Sequence, residues 1–268
     1  MPRETHAIHI GSFASMFGAI DDASRSLVNS VCPLFVLQAP QRPFLIGSAV
    51  PVQIGRASVL VTAAHVLESY GRASVLTLGH GESLVLGGER RGFGHRRGST
   101  VDVDLAVIVL GDDERAKLRE RYTFLYSSTF ASTGSPEEVT FFAIAGYPQS
   151  RNKFSPRLKK FGTTVANYFI SRSQLHLSAV SSSDKFASVH FAVGAPRDGA
   201  IGLDGSRVGF PSPAGMSGGG VWRLRFPRDA ARLPTGQLVG IGIEYLSKPG
   251  AFVCTRIEHV LPMVSDLA

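Results

Sequence analysis

From residue 31 onward the chain consists mainly of short runs rich in β-branched and aromatic residues, separated by glycine, proline and other turn-forming residues. A first series covers residues 31–38, 44–52, 57–62, 72–78, 83–86 and 102–110. A second series covers residues 139–145, 163–170, 174–180, 188–193, 219–226, 238–244 and 251–255. Many short strands bounded by turns favour a sandwich or barrels over alternating β–α units. The pattern therefore predicts an all-β protein.

Two features divide this pattern along the chain. Residues 112–122 are charged and lack it, and a stretch rich in Ser and Thr follows to residue 136. We therefore expect a first β unit over residues 31–111, a linker over 112–136, and a second β unit over 137–268. The last residues, 258–268, are expected to form a short closing helix.

Residues 1–30 are expected to form a helical extension. Between residues 11 and 31, apolar side chains recur three, four or seven positions apart, which is typical of one amphipathic helix. They are Phe13, Met16, Phe17, Ile20, Leu27, Val28 and Val31. Asp21 and Asp22 oppose Arg25 on the polar face, whereas anionic lipid favours a Lys/Arg-rich face. We expect the helix to dock on the protein body rather than on a membrane.

The composition is that of a globular protein. Of the 268 residues, 44% are hydrophobic and 18% are charged, so disorder is not expected. A net charge of +7 would suit a nucleic-acid or membrane-surface partner, but solubility explains it more simply. Two cysteines, Cys32 and Cys254, exclude a disulfide scaffold or a four-cysteine zinc module.

Neither a membrane span nor a secretory leader is expected. No segment has the roughly 18 consecutive apolar residues that a membrane helix needs. The first residues lack the unbroken apolar run and small-residue cleavage site of a secretory peptide. With two lone cysteines, these features predict a cytoplasmic protein.

Three segments contain residue types suited to catalysis, and the first is an apolar strand that ends in small residues and His65. A histidine can serve as a general base because its pKa of about 6.5 lets it exchange a proton near neutral pH. Alone, a histidine at a strand end more often has only a structural hydrogen bond.

The second segment places Asp102 and Asp104 before an almost wholly apolar strand, where a carboxylate needs a charged or hydrogen-bonding partner. An imidazole Nδ1–H is such a partner.

The third segment, residues 213–222, surrounds Ser217 with four glycines. A serine hydroxyl is a weak nucleophile until a base takes its proton, and glycine-flanked turns can present backbone N–H groups to an oxyanion.

In the order His, Asp, Ser, the three segments resemble the trypsin-like (chymotrypsin-fold) serine proteases. Residues 62–65, Thr-Ala-Ala-His, match that family's TAAH motif. Residues 104–107, Asp-Leu-Ala-Val, match its D-[IL]-A-[LV] motif and select Asp104 over Asp102. Residues 215–219, Gly-Met-Ser-Gly-Gly, match its GDSGG motif with one change. The resemblance covers about residues 31–262 and includes the strand at 238–241.

The resemblance implies two antiparallel β-barrels of the chymotrypsin type and a serine endopeptidase that acts on protein or peptide substrates without metal or organic cofactor. Ser217 would attack the scissile carbonyl, and His65 would take the serine proton. Asp104 would orient the imidazole. The backbone N–H groups of Gly215 and Ser217 would form the oxyanion hole.

The sequence departs from the family at two informative positions. Met216 stands where secreted relatives have an aspartate that pairs with a newly cut N-terminus. Activation by N-terminal cleavage therefore loses its electrostatic basis, as in bacterial and viral members that fold in an active form or depend on a regulatory protein partner. Gly242 or Ile243 stands where many relatives have a serine that supports the aspartate, so Asp104 is expected to have fewer hydrogen bonds.

The resemblance also locates a substrate pocket between residues 211–214, 242–246 and 250–253. The candidate lining residues are Pro211, Ser212, Ala214, Ile243, Glu244 and Tyr245. Pro211 replaces the aspartate with which trypsin binds Lys or Arg, so that preference is not expected. Glu244 could supply a substitute charge, although a carboxylate facing solvent is the simpler interpretation.

Two alternatives concern the same serine. Residues 215–219 also fit the G-x-S-x-G turn of α/β-hydrolases, but a strand is expected after them and only His259 follows in the chain. A protease fold that binds peptides without cleaving them is the other alternative.

A third alternative is nucleic-acid binding, because two clusters combine basic and aromatic residues. The clusters are Arg90, Arg91, Phe93, His95, Arg96 and Arg97, and Arg151, Lys153, Phe154, Arg157, Lys159, Lys160 and Phe161. Solvated loops explain both clusters more simply. Metal binding is not expected, because the pairs His6 and His9, or His176 and His190, lack the ligand spacing of a zinc site.

Overall fold

The computed structural model describes residues 27–39, 42–71, 73–79, 82–93, 103–130, 139–155, 160–161, 164–170, 174–175, 188–195, 200–201, 207–208, 212–226, 235–248 and 250–267. These residues are mostly strand, which confirms the all-β prediction. The strands are β1 (Cys32–Ala39), β2 (Arg42–Ile54), β3 (Ala57–Thr62), β4 (Val75–Leu78), β5 (Ser83–Leu86), β6 (Arg90–Phe93), β7 (Leu105–Val109), β8 (Leu125–Tyr126), β9 (Val139–Gly146), β10 (Phe154–Ser155), β11 (Lys160–Phe161), β12 (Ala166–Ile170), β13 (Gln174–Leu175), β14 (His190–Gly194), β15 (Ala200–Ile201), β16 (Arg207–Val208), β17 (Gly220–Phe226), β18 (Thr235–Leu246) and β19 (Ala251–Arg256).

The helices of the described residues are short. Helix α1 (Ala64–Glu68) follows β3 directly, and helix α2 (Asp112–Arg119) follows β7. Two 3-10 helices lie at Ser127–Thr129 and Ile257–Met263. The second of these occupies the position of the predicted closing helix.

The strands before residue 127 form one sheet in the order β5-β4-β1-β2-β3-β7-β6. These pairs are antiparallel, and β8 joins β2 as a parallel edge. In the centre of the sheet, β3 is buried along its whole length because its side chains are apolar or small. This strand carries the chain towards His65.

The strands after residue 138 form a second antiparallel sheet in the order β12-β9-β17-β18-β19-β14-β13. Strand β17 begins three residues after Ser217 and pairs with both β9 and β18. One of the two large sheets curls into a half-barrel. Two further strand pairs, β10–β11 and β15–β16, lie outside both sheets.

An apolar core joins the two sheets. One cluster of buried side chains combines Val59 and Leu105 of the first sheet with Trp222 and Leu238 of the second. Ile257 of the C-terminal 3-10 helix belongs to the same cluster. The two sheets therefore share buried surface, and structural elements from both can contribute to one site.

Several sequence expectations lie partly or wholly outside the described residues. The predicted helix over 11–31 is described only from residue 27, where two helical residues precede a turn. The segment 112–136 contains α2 and β8 in its described part. No helix among the described residues is long and apolar enough to cross a membrane.

Candidate active site

His65 lies in the first turn of α1, immediately beyond the end of β3. Ala63 and Ala64, the residues between the strand and His65, are fully buried, so only small side chains fit at this tight change of direction. The His65 side chain is 45% exposed. The imidazole is therefore held on the molecular surface by a buried strand end.

Asp104 reaches His65 because of the strand register. Thr62 of β3 pairs with Ala106 of β7, so the end of β3 that leads to His65 lies beside the start of β7 that follows Asp104. Asp104 Oδ1 accepts a hydrogen bond from the His65 backbone N–H at 3.0 Å, and Oδ2 lies 2.8 Å from His65 Nδ1. The structure thus brings the predicted histidine and aspartate into direct contact.

This contact assigns the roles of the two imidazole nitrogens. An ionised carboxylate only accepts hydrogen bonds, so Nδ1 carries the proton that it donates to Asp104. In the neutral ring, Nε2 is then the unprotonated nitrogen. An imidazole fixed in this way can accept a proton at Nε2 while the carboxylate stabilises the resulting cation.

Ser217 lies in the turn that precedes β17. Its backbone carbonyl accepts from Ser48 N at 2.8 Å, and its hydroxyl donates to Ile243 O at a long 3.4 Å. The next residue, Gly218, donates its N–H to Gly242 O of β18. The turn is therefore held between β2 of the first sheet and β18 of the second.

The same contacts bring the serine turn to the strand end that carries His65. Thr62 Oγ1 donates to Ser48 O at 2.7 Å, which ties the end of β3 to the β2 residue that binds Ser217. A methyl group at Gly47 would lie 2.6 Å from Val66 Cγ1 and 3.0 Å from Ser217 O. Val66 and Ser217 thus both lie next to one backbone position, and His65 precedes Val66.

Gly218 shows why this turn is rich in glycine. Its φ is 85°, a conformation that other residues rarely adopt. A Cβ atom there would lie 1.9 Å from Ser48 O and 2.2 Å from Thr62 Oγ1. The absence of a side chain lets the turn pack directly against the first sheet.

The peptide groups around Ser217 have defined orientations. Ala214 O accepts from Gln149 N at 2.7 Å, and Met216 O accepts from Gly219 N at 2.8 Å. In a trans peptide the C=O and the following N–H point in opposite directions, so the N–H groups of Gly215 and Ser217 point away from these partners. Within the described part of the chain, neither N–H donates to another group.

The turn before the serine is of type II. Met216 N donates to Pro213 O at 2.8 Å, and Gly215 has a φ of 87°. A positive φ at the third residue is the mark of that turn type. The side chain of Met216 is buried in an apolar cluster with Ile144 and Phe252. An apolar anchor therefore occupies the position directly before the serine.

A hydroxyl of the second sheet supports the aspartate indirectly. Thr255 of β19 is fully buried and donates to Val103 O at 2.7 Å, one residue before Asp104. At residues 242 and 243, by contrast, the chain has no side-chain hydroxyl. Position 243 instead contributes its carbonyl, which the Ser217 hydroxyl contacts.

The candidate pocket residues have different environments. Ser212, Ala214 and Glu244 are exposed, whereas the Ile243 side chain is buried. Tyr245 is half-buried, donates its hydroxyl to Ala195 O at 3.0 Å and packs against Phe252 with ring centroids 5.0 Å apart. Pro211 lies outside the described residues.

The described arginines of the first basic cluster form hydrogen bonds and ion pairs within the protein. Arg90 donates to Gly71 O and Ala73 O. Arg91 pairs with Glu89 and Asp266. These contacts occupy both guanidinium groups with internal partners. In the second cluster Arg151 and Lys153 are exposed, and Arg157 and Lys159 lie outside the described residues.

Sequence reasoning missed Ser48 and Thr255, which have no motif around them.

In the part of the chain that the structure describes, no group of three or more His, Cys, Asp or Glu residues could hold a metal ion. His6, His9 and His176 lie outside that part, and His190 is buried in β14.

Comparison with known proteins gives no independent identification. No protein-family model and no curated protein sequence matches the chain. The arrangement of His65, Asp104 and the Ser217 turn is therefore the main guide to function.

Proposed function

We propose that this protein is a serine endopeptidase that cleaves protein substrates through an acyl-enzyme intermediate. The observation that carries the proposal is the double contact of Asp104 with the backbone N–H and the Nδ1 of His65. With the Nδ1 proton donated to Asp104, Nε2 is the ring nitrogen that can act as a base. The Ser217 turn is docked on the same strand end, which supports Ser217 as the nucleophile.

In the proposed acylation step, Ser217 Oγ attacks the carbonyl carbon of the substrate, and His65 Nε2 takes the hydroxyl proton. Asp104 stabilises the imidazolium that forms. The negative charge on the substrate oxygen is stabilised by the N–H groups of Gly215 and Ser217, which are free to donate. Each donor of this kind typically contributes about 3–4 kcal/mol to transition-state stabilisation.

The intermediate then collapses. The bond between carbonyl carbon and amide nitrogen breaks, and His65 returns its proton to the leaving amine. A water molecule, deprotonated by the same imidazole, attacks the acyl-enzyme and releases the acid product and free Ser217. The chemistry needs no further reactant.

The proposal includes a fold of two chymotrypsin-like barrels, one for each large sheet. His65 and Asp104 would come from the first barrel and Ser217 from the second, with substrate bound in the cleft between them. It also includes a cytoplasmic location, because Cys32 and Cys254 are free, buried thiols that suit a reducing compartment.

Reaction with a fluorophosphonate probe tests the proposal, because an activated serine oxygen attacks its phosphorus and displaces fluoride, which leaves a phosphonylated serine. We expect labelling at Ser217 in the wild type and none in Ser217→Ala or His65→Ala. Casein hydrolysis should fall about 10⁴-fold in Asp104→Asn, because the amide would favour the wrong imidazole tautomer. Combining Ser217→Ala with His65→Ala should cost little more than either alone.

Arg56→Ala is a suitable control, since Arg56 is exposed in the β2–β3 turn. It should label and cleave like the wild type. A folded wild type that binds peptides but is not labelled would contradict the proposal and identify a peptide-binding module instead.

A further inference from the structure

We propose that Ser48 is a positioning residue that holds the oxyanion-hole turn in its donating conformation. The inference rests on the proposed function and concerns how the conformation of that site is maintained. Ser48 lies on β2, is fully buried and is 167 residues from its side-chain acceptor in the turn. It holds the turn without a charged group.

Every polar atom of Ser48 is used at the junction of the two sheets. Its N–H donates to Ser217 O at 2.8 Å, and its carbonyl accepts from Thr62 Oγ1 at 2.7 Å. Its hydroxyl donates to Gly215 O at 2.9 Å and accepts from Tyr147 N at 2.8 Å. One residue thus joins β2 to the end of β3, the chain beyond β9 and the serine turn.

The hydroxyl acts on the peptide that lies between the two candidate oxyanion donors. Gly215 N belongs to the peptide before residue 215, and Ser217 N belongs to the peptide after residue 216. The Gly215–Met216 peptide connects them, and its carbonyl is the group that Ser48 Oγ binds. Displacement of this connecting peptide would move the backbone on both sides of it and with it the two N–H groups.

Removal of the hydroxyl would leave two buried groups, Gly215 O and Tyr147 N, without this partner. Buried polar groups that lose their partner incur a desolvation penalty, and the turn can avoid it by changing conformation. The neighbouring Met216 side chain restrains the turn only through apolar contacts, which are less directional than hydrogen bonds. We therefore assign the orientation of the turn to Ser48 rather than to an activating ion pair.

The test compares Ser48→Ala with Ser58→Ala. Ser58 is also a buried serine of the first sheet, but its hydroxyl donates to Gln53 Oε1 at 2.6 Å, away from the serine turn. Two measurements are made on the full chain: hydrogen–deuterium exchange of peptides covering residues 212–219, and kcat and KM for fluorescein-labelled casein. Both variants lose one buried hydroxyl, so a general loss of stability affects them alike.

We expect Ser48→Ala to raise exchange in residues 212–219 at least several-fold and to lower kcat about 10- to 100-fold with KM little changed. Ser58→Ala should change neither. Unchanged exchange in Ser48→Ala, or raised exchange with wild-type kcat, would overturn the proposal.

Failure of the proposed protease function gives a result that differs from failure of the Ser48 proposal. A wild type that is neither labelled by fluorophosphonate nor able to cleave casein overturns the protease proposal, whatever the variants do. The exchange measurement still decides then whether Ser48 holds the turn, because it does not depend on catalysis.

Discussion

Asp104 has a φ of 41°, the one positive value that a residue other than glycine shows in the described part of the chain. Aspartate tolerates this conformation better than most residues because its short polar side chain can form local hydrogen bonds. Here both carboxylate oxygens bind His65, and the preceding carbonyl is held by Thr255. Strained backbone of this kind persists where surrounding contacts fix it, often at functional sites.

Gly218→Ala should destabilise the protein by about 3 kcal/mol or more and remove casein hydrolysis. The added methyl group would collide with Ser48 O and Thr62 Oγ1, and the positive φ would be strained as well. Denaturant unfolding and casein hydrolysis provide the measurements.

The Gly71→Ala variant separates the effect of backbone strain at a positive φ from the effect of a steric clash. Gly71 has a φ of 50°, but nothing lies within 4 Å of an added Cβ. This variant should lose only about 1–2 kcal/mol and keep its activity. Equal losses in the two variants would show that the contact between the serine turn and the first sheet is not tight.

The residues of the candidate site differ in how far sequence could predict them. The contact between His65 and Asp104 follows from two motifs and from the register of β3 and β7. Ser48 and Thr255 could not be predicted, because their partners lie 167 and 152 residues away in the sequence. No local pattern distinguishes a serine or threonine with such a distant partner from any other buried one. The roles of the triad stay predictions until activity is measured.

Among the structural elements, helix α2 is attached to the first sheet through Glu114, Leu118 and Arg119, whose guanidinium group donates to Gln53 Oε1 of β2. Glu114 accepts from Gly111 N at 2.8 Å, at the helix N-terminus, and from Gly87 N at 2.7 Å, just beyond β5. Leu118 is the buried residue of this helix. Glu114 thus combines an N-terminal cap with a tie between helix and sheet.

Glu114→Ala should lower the free energy of unfolding by about 1–2 kcal/mol, because two backbone N–H groups lose an ionised acceptor. Asp113→Ala is the control: Asp113 is exposed in the same turn and should change stability by less than about 0.5 kcal/mol. Urea denaturation gives both values. A Glu114 variant as stable as the Asp113 variant would contradict the capping role.

The elements that sequence predicted well are the buried apolar strands such as β3, β7 and β19. Helix α2 was not predicted as a helix, since a single buried residue gives no apolar periodicity. Strand β6 (Arg90–Phe93) belongs to a predicted basic cluster. Its arginines instead bond to the backbone carbonyls of Gly71, Ala73 and Met263, a use that composition does not reveal.

At the scale of the whole molecule, the burial of titratable side chains determines how thiol reactivity and stability change at high pH. Burial raises the pKa of Cys32 to about 12 and raises the pKa of Cys254 as well. Both thiols should therefore resist Ellman's reagent at pH 8 in the native protein and react after unfolding. Rapid reaction of the folded wild type would contradict their burial.

The same pKa shifts predict how stability depends on pH. Below about pH 9 folded and unfolded chains both keep the thiol protons; above it only the unfolded chain releases them. The free energy of unfolding should then fall by about 1.4 kcal/mol per thiol for each pH unit, up to the folded pKa. Burial raises the pKa of Tyr122 and Tyr147 too, which adds to the loss above about pH 10. Urea denaturation between pH 7 and 11 measures the slope, which Cys254→Ala should reduce.

The hydrogen bond from Thr255 to Val103 has a consequence for the order in which the protein is synthesised. The ribosome releases His65 and Asp104 early, but the strand that fixes the backbone beside Asp104 is made after Ser217. A nascent chain therefore carries all three side chains before the last support of their geometry exists. The geometry of the candidate site should therefore be complete only after β19 has been synthesised.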